Sequence, residues 1–381
     1  MDFIKKYRLY IISVIVLIVC GALIGILINA LSNAEPSEPE PVAESLEFSP
    51  YYNNLRTEQK YLFNYICESA SEYKNETAEL PYSFEPEDLA IVCDSIRADR
   101  PDLFFLDYGS FELSHGKTRS FVKLAYTDSI DKISDMRTEY KSALENLIAQ
   151  IPKDGNSFQK ELAVNDLLCA NCSRSNEKNI LHNTAYGALV LKKAYCDGYS
   201  YAAKAMFNAL KIDSCIVFGE ANGENHMWNL VKTDEGYGHL DVMFNDADIE
   251  DSLQFHGFFN LNNEEIKKEH TVSSKYNFLP SADKAINYYD MQKCHIKTVK
   301  ESQEAIYTQL RQALKNKKNY IELCCDETKE TQKIAPYFES ARGKLNTEFG
   351  IETVYEPFCI YEASKTNNAI TIKIFTREDK G

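Results

Sequence analysis

Cys196 lies where the sequence predicts the start of a helix. The apolar residues that follow it recur at helical spacing, and they are Tyr199, Ala202, Ala203, Met206, Phe207 and Leu210. Unpaired N–H groups and the positive end of the dipole at a helix N-terminus stabilise a thiolate, so a cysteine at this place can serve as a nucleophile. Gly198 leaves room for close approach of another stretch of backbone. On position alone, a small buried thiol is the alternative interpretation.

Three segments downstream of Cys196 are typical of β-strands. Residues 215–218, 227–231 and 238–243 are apolar or alternate at strand length. Thr233-Asp-Glu-Gly236, between the last two segments, has the composition of a tight turn. The sequence therefore predicts an antiparallel hairpin.

The register of this hairpin brings His226 and Asp241 together. If Asp234 and Glu235 form the turn, residue 226 faces residue 243. Because side chains alternate along a strand, Asp241 then lies on the same face as His226, at a diagonal distance of roughly 7–8 Å between backbones. A carboxylate there can fix the tautomer of an imidazole that acts as a base. A three-residue loop would break this pairing.

Three short motifs around these residues resemble those of the transglutaminase-like superfamily. They are Cys196-Asp-Gly-Tyr199, His226-Met-Trp-Asn229 and His239-Leu-Asp241-Val, and the resemblance covers about residues 155–275. It implies a papain-like fold in which a cysteine on a helix meets a histidine and an aspartate on adjacent strands. It also implies that Cys196 attacks a carboxamide carbonyl to give a thioester, that His226 takes and returns protons, and that Asp241 orients His226.

Several side chains near the motifs have roles that the sequence leaves open. The backbone N–H of Cys196 is the expected oxyanion donor, and Tyr186 is either a second donor or a core aromatic. Trp228 either shapes the site or belongs to the core. Phe244 and Asn245 stand where we associate Trp-Asp with the family, so we expect different walls around the site.

The sequence predicts neither a metal nor an organic cofactor. Cys169-Ala-Asn-Cys172 and Cys324-Cys325 each lack a second pair of ligands at zinc-finger distance. The acidic run at residues 246–251 lacks the glycine-centred spacing of a calcium loop. We expect surface or hydrogen-bonded structural roles for the remaining histidines, which are His115, His182, His239, His256, His270 and His295.

The N-terminal part of the chain predicts a membrane anchor. Residues 9–31 carry no charge and are long enough to cross the ~30 Å hydrocarbon core as a transmembrane helix. Basic residues precede this span and glutamates follow it, so residues 1–8 are predicted to be cytoplasmic and the rest of the chain to face outward. A cleaved signal peptide is the alternative. The Pro- and Glu-rich residues 32–50 predict an extended stalk.

We expect an α+β protein whose papain-like transglutaminase core occupies residues 153–283. In this core the helix that bears Cys196 would pack on an antiparallel sheet that bears His226 and Asp241. Smaller α+β domains are predicted at residues 51–152 and 284–381. The predicted helices start at Thr57, Pro86, Ile130 and Ser302, and the predicted flanking strands cover residues 121–126, 320–325, 354–361 and 369–375.

The formal net charge of -15, with no basic run beyond the first eight residues, argues against a nucleic-acid partner. The leading hypothesis is an extracytoplasmic Cys-His-Asp enzyme that acts on protein or peptide amides, by cross-linking or by hydrolysis. An outward-facing domain makes cell-wall peptides or surface proteins reasonable substrates. The alternatives are a non-catalytic peptide-binding module on a membrane stalk and a thiol redox protein that uses Cys169 and Cys172.

Overall fold

The computed structural model describes most of the chain from residue 48 onward. The described residues are 16–26, 48–115, 120–246, 255–296, 298, 301–316, 318, 320–325 and 331–349, together with the backbone of 353–354, 361–362, 369–373 and 375–376. The predicted cytoplasmic residues 1–8 and most of the predicted stalk lie outside these ranges. Residues 16–26 of the predicted span are helical, and its two ends lie outside the described residues. Within the described ranges, no helix combines the length and the apolar character that crossing a membrane requires.

Helices dominate the region before residue 152. The longer elements here are α1 (Thr57–Ser71), α2 (Pro86–Asp99), α3 (Ile130–Ile148), β1 (Glu112–His115) and β2 (Ser120–Lys123), after a short helix at Pro50–Asn54. Pro86 fits the first turn of α2 because its ring fixes a helical φ and its missing N–H has no helical acceptor there. The helix starts predicted at Thr57, Pro86 and Ile130 are confirmed. Strand β2 pairs antiparallel with β1. It ends at Lys123, whereas the sequence predicted a strand up to residue 126.

Residues 153–283 contain the elements that position the predicted site. They are α4 (Ser157–Asn171), α5 (Cys196–Ala209), β3 (Ser214–Ala221), β4 (Glu224–Lys232), β5 (Tyr237–Leu240) and β6 (His270–Val272). The strands form an antiparallel sheet in the order β5-β4-β3-β6. Short helical segments lie at Ile180–Asn183, Gly187–Leu191, Val242–Asn245, Asn263–Ile266 and Ser274–Tyr276.

The predicted hairpin register between β4 and β5 is confirmed. The Thr233 N–H donates to the Gly236 carbonyl at 2.8 Å, and Asn229 pairs with Leu240 further along. The predicted extension of the last strand to residue 243 is wrong. Strand β5 ends at Leu240 because Asp241 caps the short helix Val242–Asn245. On the β5 side, residue 226 therefore has no partner at position 243. On the other side of β4, it pairs with Gly219 of β3.

Helix α5 packs on the sheet through a buried apolar face. Ala202, Ala203, Met206 and Phe207 are almost fully buried, and the Asn229 side-chain amide of β4 donates to the Ser200 carbonyl of the helix at 3.0 Å. The same core extends from Tyr51 to Ala282 and takes side chains from both sides of residue 152. This continuity fixes the start of α5 against both the sheet and the helices that precede it.

The C-terminal region has a second cluster of buried side chains, from Tyr289 to Leu345. Its elements are β7 (His295–Ile296), α6 (Ser302–Lys315), β8 (Tyr320–Cys325), α7 (Thr331–Phe349), β9 (Tyr361–Glu362) and β10 (Ala369–Lys373), after a short helix at Tyr288–Met291. The sheet order is β9-β10-β8-β7, and Thr353–Val354 pairs separately with Phe375–Thr376. The prediction of a strand at residues 320–325 is confirmed. Most of the strand predicted at residues 354–361 lies outside the described residues.

Candidate active site

Cys196 is the first residue of helix α5, as the sequence predicted. The chain just before the helix is held by the Tyr195 N–H, which donates to the His182 carbonyl at 3.0 Å. A Cβ atom on Gly198 would lie 2.4 Å from the same carbonyl oxygen, so only glycine allows this approach. The half-buried Cys196 thus sits at a helix N-terminus whose first N–H groups have no acceptor within the helix.

The imidazole of His226 lies between Asp241 and Cys196. Its Nε2 is 2.6 Å from Asp241 Oδ2, and because a carboxylate only accepts hydrogen bonds, Nε2 carries the proton. The Cys196 thiol lies close enough to the same ring to raise its pKa, and Nδ1 is the nitrogen that Asp241 leaves free. Burial would lower the pKa of His226, but Asp241 and Cys196 outweigh it and raise the pKa to about 10. His226 is therefore an imidazolium at neutral pH.

Both oxygens of Asp241 are hydrogen-bonded. Oδ1 accepts the Phe244 N–H at 3.1 Å as the cap of the following helix. Oδ2 accepts from His226 and also from Nε2 of His270, at 2.9 Å. Burial would raise the pKa of Asp241, but the two imidazoles hold it well below its usual range. A carboxylate bonded in this way is ionised and fixed in orientation.

His270 is the site residue that the sequence did not single out. Its side chain is fully buried and its Nδ1 has no partner in the described part of the chain. The edge strand β6 brings it to Asp241, and the close approach depends on Gly219 of β3. A Cβ atom on Gly219 would lie 2.1 Å from the Thr271 carbonyl oxygen and 2.7 Å from the Trp228 ring. The observed strand β3 extends past the predicted residues 215–218 and includes Gly219, and a glycine inside a strand is typical of such a close approach.

Aromatic side chains form the walls around the two imidazoles. Trp228 is fully buried, and its indole N–H donates to Nδ1 of His239 at 2.9 Å. Burial lowers the pKa of His239 to about 4, so this ring is neutral and can accept that bond. The Phe244 ring lies 4.7 Å from His226 and 5.1 Å from His270, measured between centroids. Trp228 therefore shapes the site, and its N–H is already engaged.

Two other candidates from the sequence have structural roles. The Tyr186 hydroxyl donates to Glu139, and its ring stacks on Phe104 with centroids 4.9 Å apart, so Tyr186 is a core aromatic. Cys169 and Cys172 are free thiols. Burial raises the pKa of both, that of Cys172 to about 12, which disfavours a redox role.

The described side chains of the other histidines are hydrogen-bonded, as predicted. His182 contacts the Ser175 hydroxyl at 2.6 Å, and His295 contacts Asp290 at 2.7 Å. His256 lies between two carboxylates in a separate buried cluster.

His226, Asp241 and His270 also form a group whose ligand atoms lie within 4.8 Å of one another. Two imidazoles and a carboxylate are ligand types that zinc accepts. In the arrangement described here, both Nε2 atoms carry protons that point at the same oxygen. The Nε2–Oδ2 separations of 2.6 and 2.9 Å are hydrogen-bond lengths, so the donor set fits a hydrogen-bonded triad better than a metal centre.

Comparisons with known proteins match one region of the chain to a family model. Residues 145–242 match the family model of the transglutaminase-like superfamily. Similar solved structures include a "Putative Cysteine Protease from Cytophaga hutchinsonii", with 12% identity, a TM-score of 0.25 and coverage of 35% of this chain and 61% of that one. A second is a crystal structure of a TGase, with 15% identity, a TM-score of 0.27 and coverage of 51% of this chain and 52% of that one. The chain thus spans less than two thirds of either structure. No curated protein matches the sequence.

Proposed function

With residues 145–242 as a transglutaminase-like superfamily domain, we propose that the protein is a cysteine enzyme that acts on protein or peptide amides through a thioester. The superfamily contains cysteine acyltransferases and cysteine peptidases. In the proposed roles, Cys196 is the nucleophile, His226 is the proton carrier and Asp241 orients His226. No metal or organic cofactor takes part in these steps.

The observation that carries the proposal is the position of His226 between Asp241 and Cys196. A cysteine beside an imidazolium is the arrangement of a nucleophile with its proton carrier. Asp241 keeps the proton of Nε2 in place, so Nδ1 is the nitrogen that exchanges a proton with the reacting groups. The N-terminus of α5 adds backbone donors beside the sulfur.

The chemistry follows from these positions. The thiolate of Cys196 adds to the amide carbonyl, and His226 gives its proton to the leaving nitrogen as the C–N bond breaks. A thioester on Cys196 and a neutral His226 remain. An amine or a water molecule then adds to the thioester, His226 takes the proton from that nucleophile, and the thiolate leaves. Transfer to an amine gives a cross-link, and transfer to water gives hydrolysis.

We further propose that residues 9–31 anchor the protein in the cell membrane with the catalytic domain outside. The charge-free run and the basic residues that precede it support this topology. Cell-wall peptides or surface proteins are then the substrates within reach. A protease-accessibility experiment on intact cells checks this orientation.

The proposed activity is tested by alkylating the full chain, in mild detergent, with iodoacetamide across a pH series and locating the modified cysteines by mass spectrometry. We expect Cys196 to react at neutral pH at least about tenfold faster than a free thiol, and the advantage to disappear in His226→Ala. Cys169→Ala is the matched control, because it removes another half-buried thiol.

Incorporation of a fluorescent primary amine into a glutamine-containing protein, compared with release of new amino groups, then distinguishes cross-linking from hydrolysis. If Cys196 reacts no faster than a free thiol, the cysteine enzyme is wrong and the peptide-binding module on a membrane stalk becomes the better account.

A further inference from the structure

A cavity of about 240 Å³ lies beside the first turns of α5, the helix that begins with the proposed nucleophile. Part of its wall comes from the end of α2 and the turns after it, and the rest comes from the segment before α5 and the start of that helix. Asp197 and Met227, which line the cavity, are the chain neighbours of Cys196 and His226. Tyr201, another residue of the wall, lies five residues after Cys196 on the same helix.

The cavity wall contains polar atoms that lack a partner in the described protein. They are the hydroxyls of Tyr108 and Tyr201 and the Nη1 atom of Arg100. Tyr201 is only 6% exposed. Burial raises the pKa of both phenols, so both hydroxyls keep their protons. A buried donor without an acceptor is energetically costly, so a bound acceptor would be favoured there.

Arg97 adds a positive charge to the same wall. Its guanidinium lies 4.7 Å from the centroid of the Tyr108 ring. It is close enough to Asp197 and Tyr201 for its charge to oppose the rise in their pKa values that burial causes. Among the described residues it forms no ion pair, whereas Arg100 holds Asp102 through Nε and Nη2 at 2.8 and 2.7 Å.

The carboxylates that line the cavity are already bonded. Asp197 accepts from the Gly198 N–H at 2.9 Å and from the Asn183 amide at 2.7 Å. Asp107 accepts the Ser110 hydroxyl at 2.7 Å. The unpartnered guanidinium nitrogen and hydroxyls of the wall can each donate a hydrogen bond, so an acceptor group would complete them.

We propose that this cavity is a subsite that binds a carboxylate of the substrate, held by Arg97, Arg100 Nη1, Tyr108 and Tyr201. The proposal rests on the proposed function, because it places the carboxylate near the amide that Cys196 attacks. A carboxylate supplies several acceptor sites and pairs with guanidinium groups through short, charge-assisted bonds. The apolar side chains of Leu103, Phe104 and Ile180 in the same wall suit the carbon stem that carries it. The substrate class is a peptide with either an acidic side chain or a free C-terminus near the reacting amide.

The test uses two pairs of alkylating reagents that differ in charge. Bromoacetyl-Glu-amide is compared with bromoacetyl-Gln-amide for a side-chain carboxylate, and bromoacetyl-Gly with bromoacetyl-Gly-amide for a C-terminal one. In the wild-type full chain, we expect one of the acidic reagents to modify Cys196 about tenfold faster than its neutral partner, as a single charge-assisted bond allows. Arg97→Gln should bring that ratio close to one.

Arg137→Gln is the matched control, because Arg137 also stacks on an aromatic ring, that of Tyr73, and does not line the cavity. Its ratio should stay at the wild-type value. Ratios near one for both reagent pairs in the wild type would overturn the subsite, and so would a ratio that survives in Arg97→Gln.

A binding measurement separates this proposal from the proposed function. Saturation-transfer NMR of Cys196→Ala with acetyl-Glu-amide and acetyl-Gln-amide, and with acetyl-Gly and its amide, needs no nucleophile. If Cys196 is unreactive but an acidic ligand binds in an Arg97-dependent way, the subsite stands and the enzyme proposal fails. If Cys196 is reactive and neither acidic ligand is preferred, the enzyme proposal stands and the subsite fails.

Discussion

Two buried histidines in this molecule have similar electrostatics and different surroundings. His226 contacts Asp241 through Nε2, and its pKa is raised to about 10. His256 contacts Glu322 through Nδ1 at 2.5 Å and Asp166 through Nε2 at 2.9 Å. Burial would lower the pKa of His256, but these carboxylates outweigh it and also raise the pKa to about 10. Both rings are therefore positively charged at neutral pH.

The difference lies in what the second ring nitrogen contacts. Both ring nitrogens of His256 are hydrogen-bonded to carboxylates, and the Tyr288 ring stacks on the imidazole with centroids 4.0 Å apart. Neither nitrogen is therefore free to exchange a proton with a substrate. His226 has one nitrogen free of carboxylates, and the thiol of Cys196 lies within reach of the ring. A raised histidine pKa therefore marks an ion pair in both regions, and only the contact with a nucleophile makes one of them a candidate for catalysis.

Removing the two rings should separate catalysis from stability, and His226→Gln should have the largest effect. We expect the rate of acyl transfer to fall by about 10²–10⁴, because the proton carrier is lost. The fold should be affected less, since Asp241 keeps its bonds from His270 and from the Phe244 N–H. Rates of Cys196 acylation and thermal unfolding, measured on the same samples, check both parts. A variant that keeps wild-type turnover would remove His226 from the mechanism.

His256→Ala should show the opposite pattern. It leaves the buried Glu322 without its cation, and breaking a buried ion pair in this way typically costs about 3–5 kcal/mol. We expect the free energy of unfolding to fall by that order, as measured by denaturant titration. The alkylation rate of Cys196 should stay unchanged under conditions in which the variant is folded. Wild-type stability in this variant would mean that the cluster contributes little to the fold.

The sequence was sufficient for the parts of the site that depend on local pattern. The start of α5 follows from the apolar stripe after Cys196, and the hairpin register follows from the turn at Asp234 and Glu235. His270 could not be found in this way. It reaches Asp241 through a non-local strand pairing, between β6 and β3, which no periodicity in the sequence encodes.

The end of β5 was also missed, for a local reason. An aspartate at the end of an apolar run can continue a strand or cap a helix, and the outcome depends on the contacts of its side chain. Here Oδ1 of Asp241 caps the following helix while Oδ2 holds the two histidines. The buried pairing of His256 with Glu322 joins two distant parts of the chain and was equally inaccessible.

His270 should have a smaller effect than His226, because it acts through Asp241. We expect His270→Ala to lower kcat by about 10–100-fold with little change in KM, which is the range for residues that orient a reacting group. His270→Gln should recover part of the loss, because its amide nitrogen can donate to Asp241 from a similar position. Equal losses in both variants would indicate a packing role only.

The most gradual expected effect is the dependence of stability on pH. The pKa of each histidine rises from 6.5 in the unfolded chain to about 10 in the folded protein. The folded state therefore binds more protons than the unfolded state between these values. The stabilisation is fully present below pH 6.5 and is lost as the pH rises toward 10, with a slope of at most about 1.4 kcal/mol per pH unit for each histidine. Denaturant titrations at several pH values should show a shallower slope in His226→Gln and in His256→Gln than in the wild type. Equal slopes in all three proteins would mean that neither ring is protonated in the folded state, which would remove the imidazolium from both regions at once.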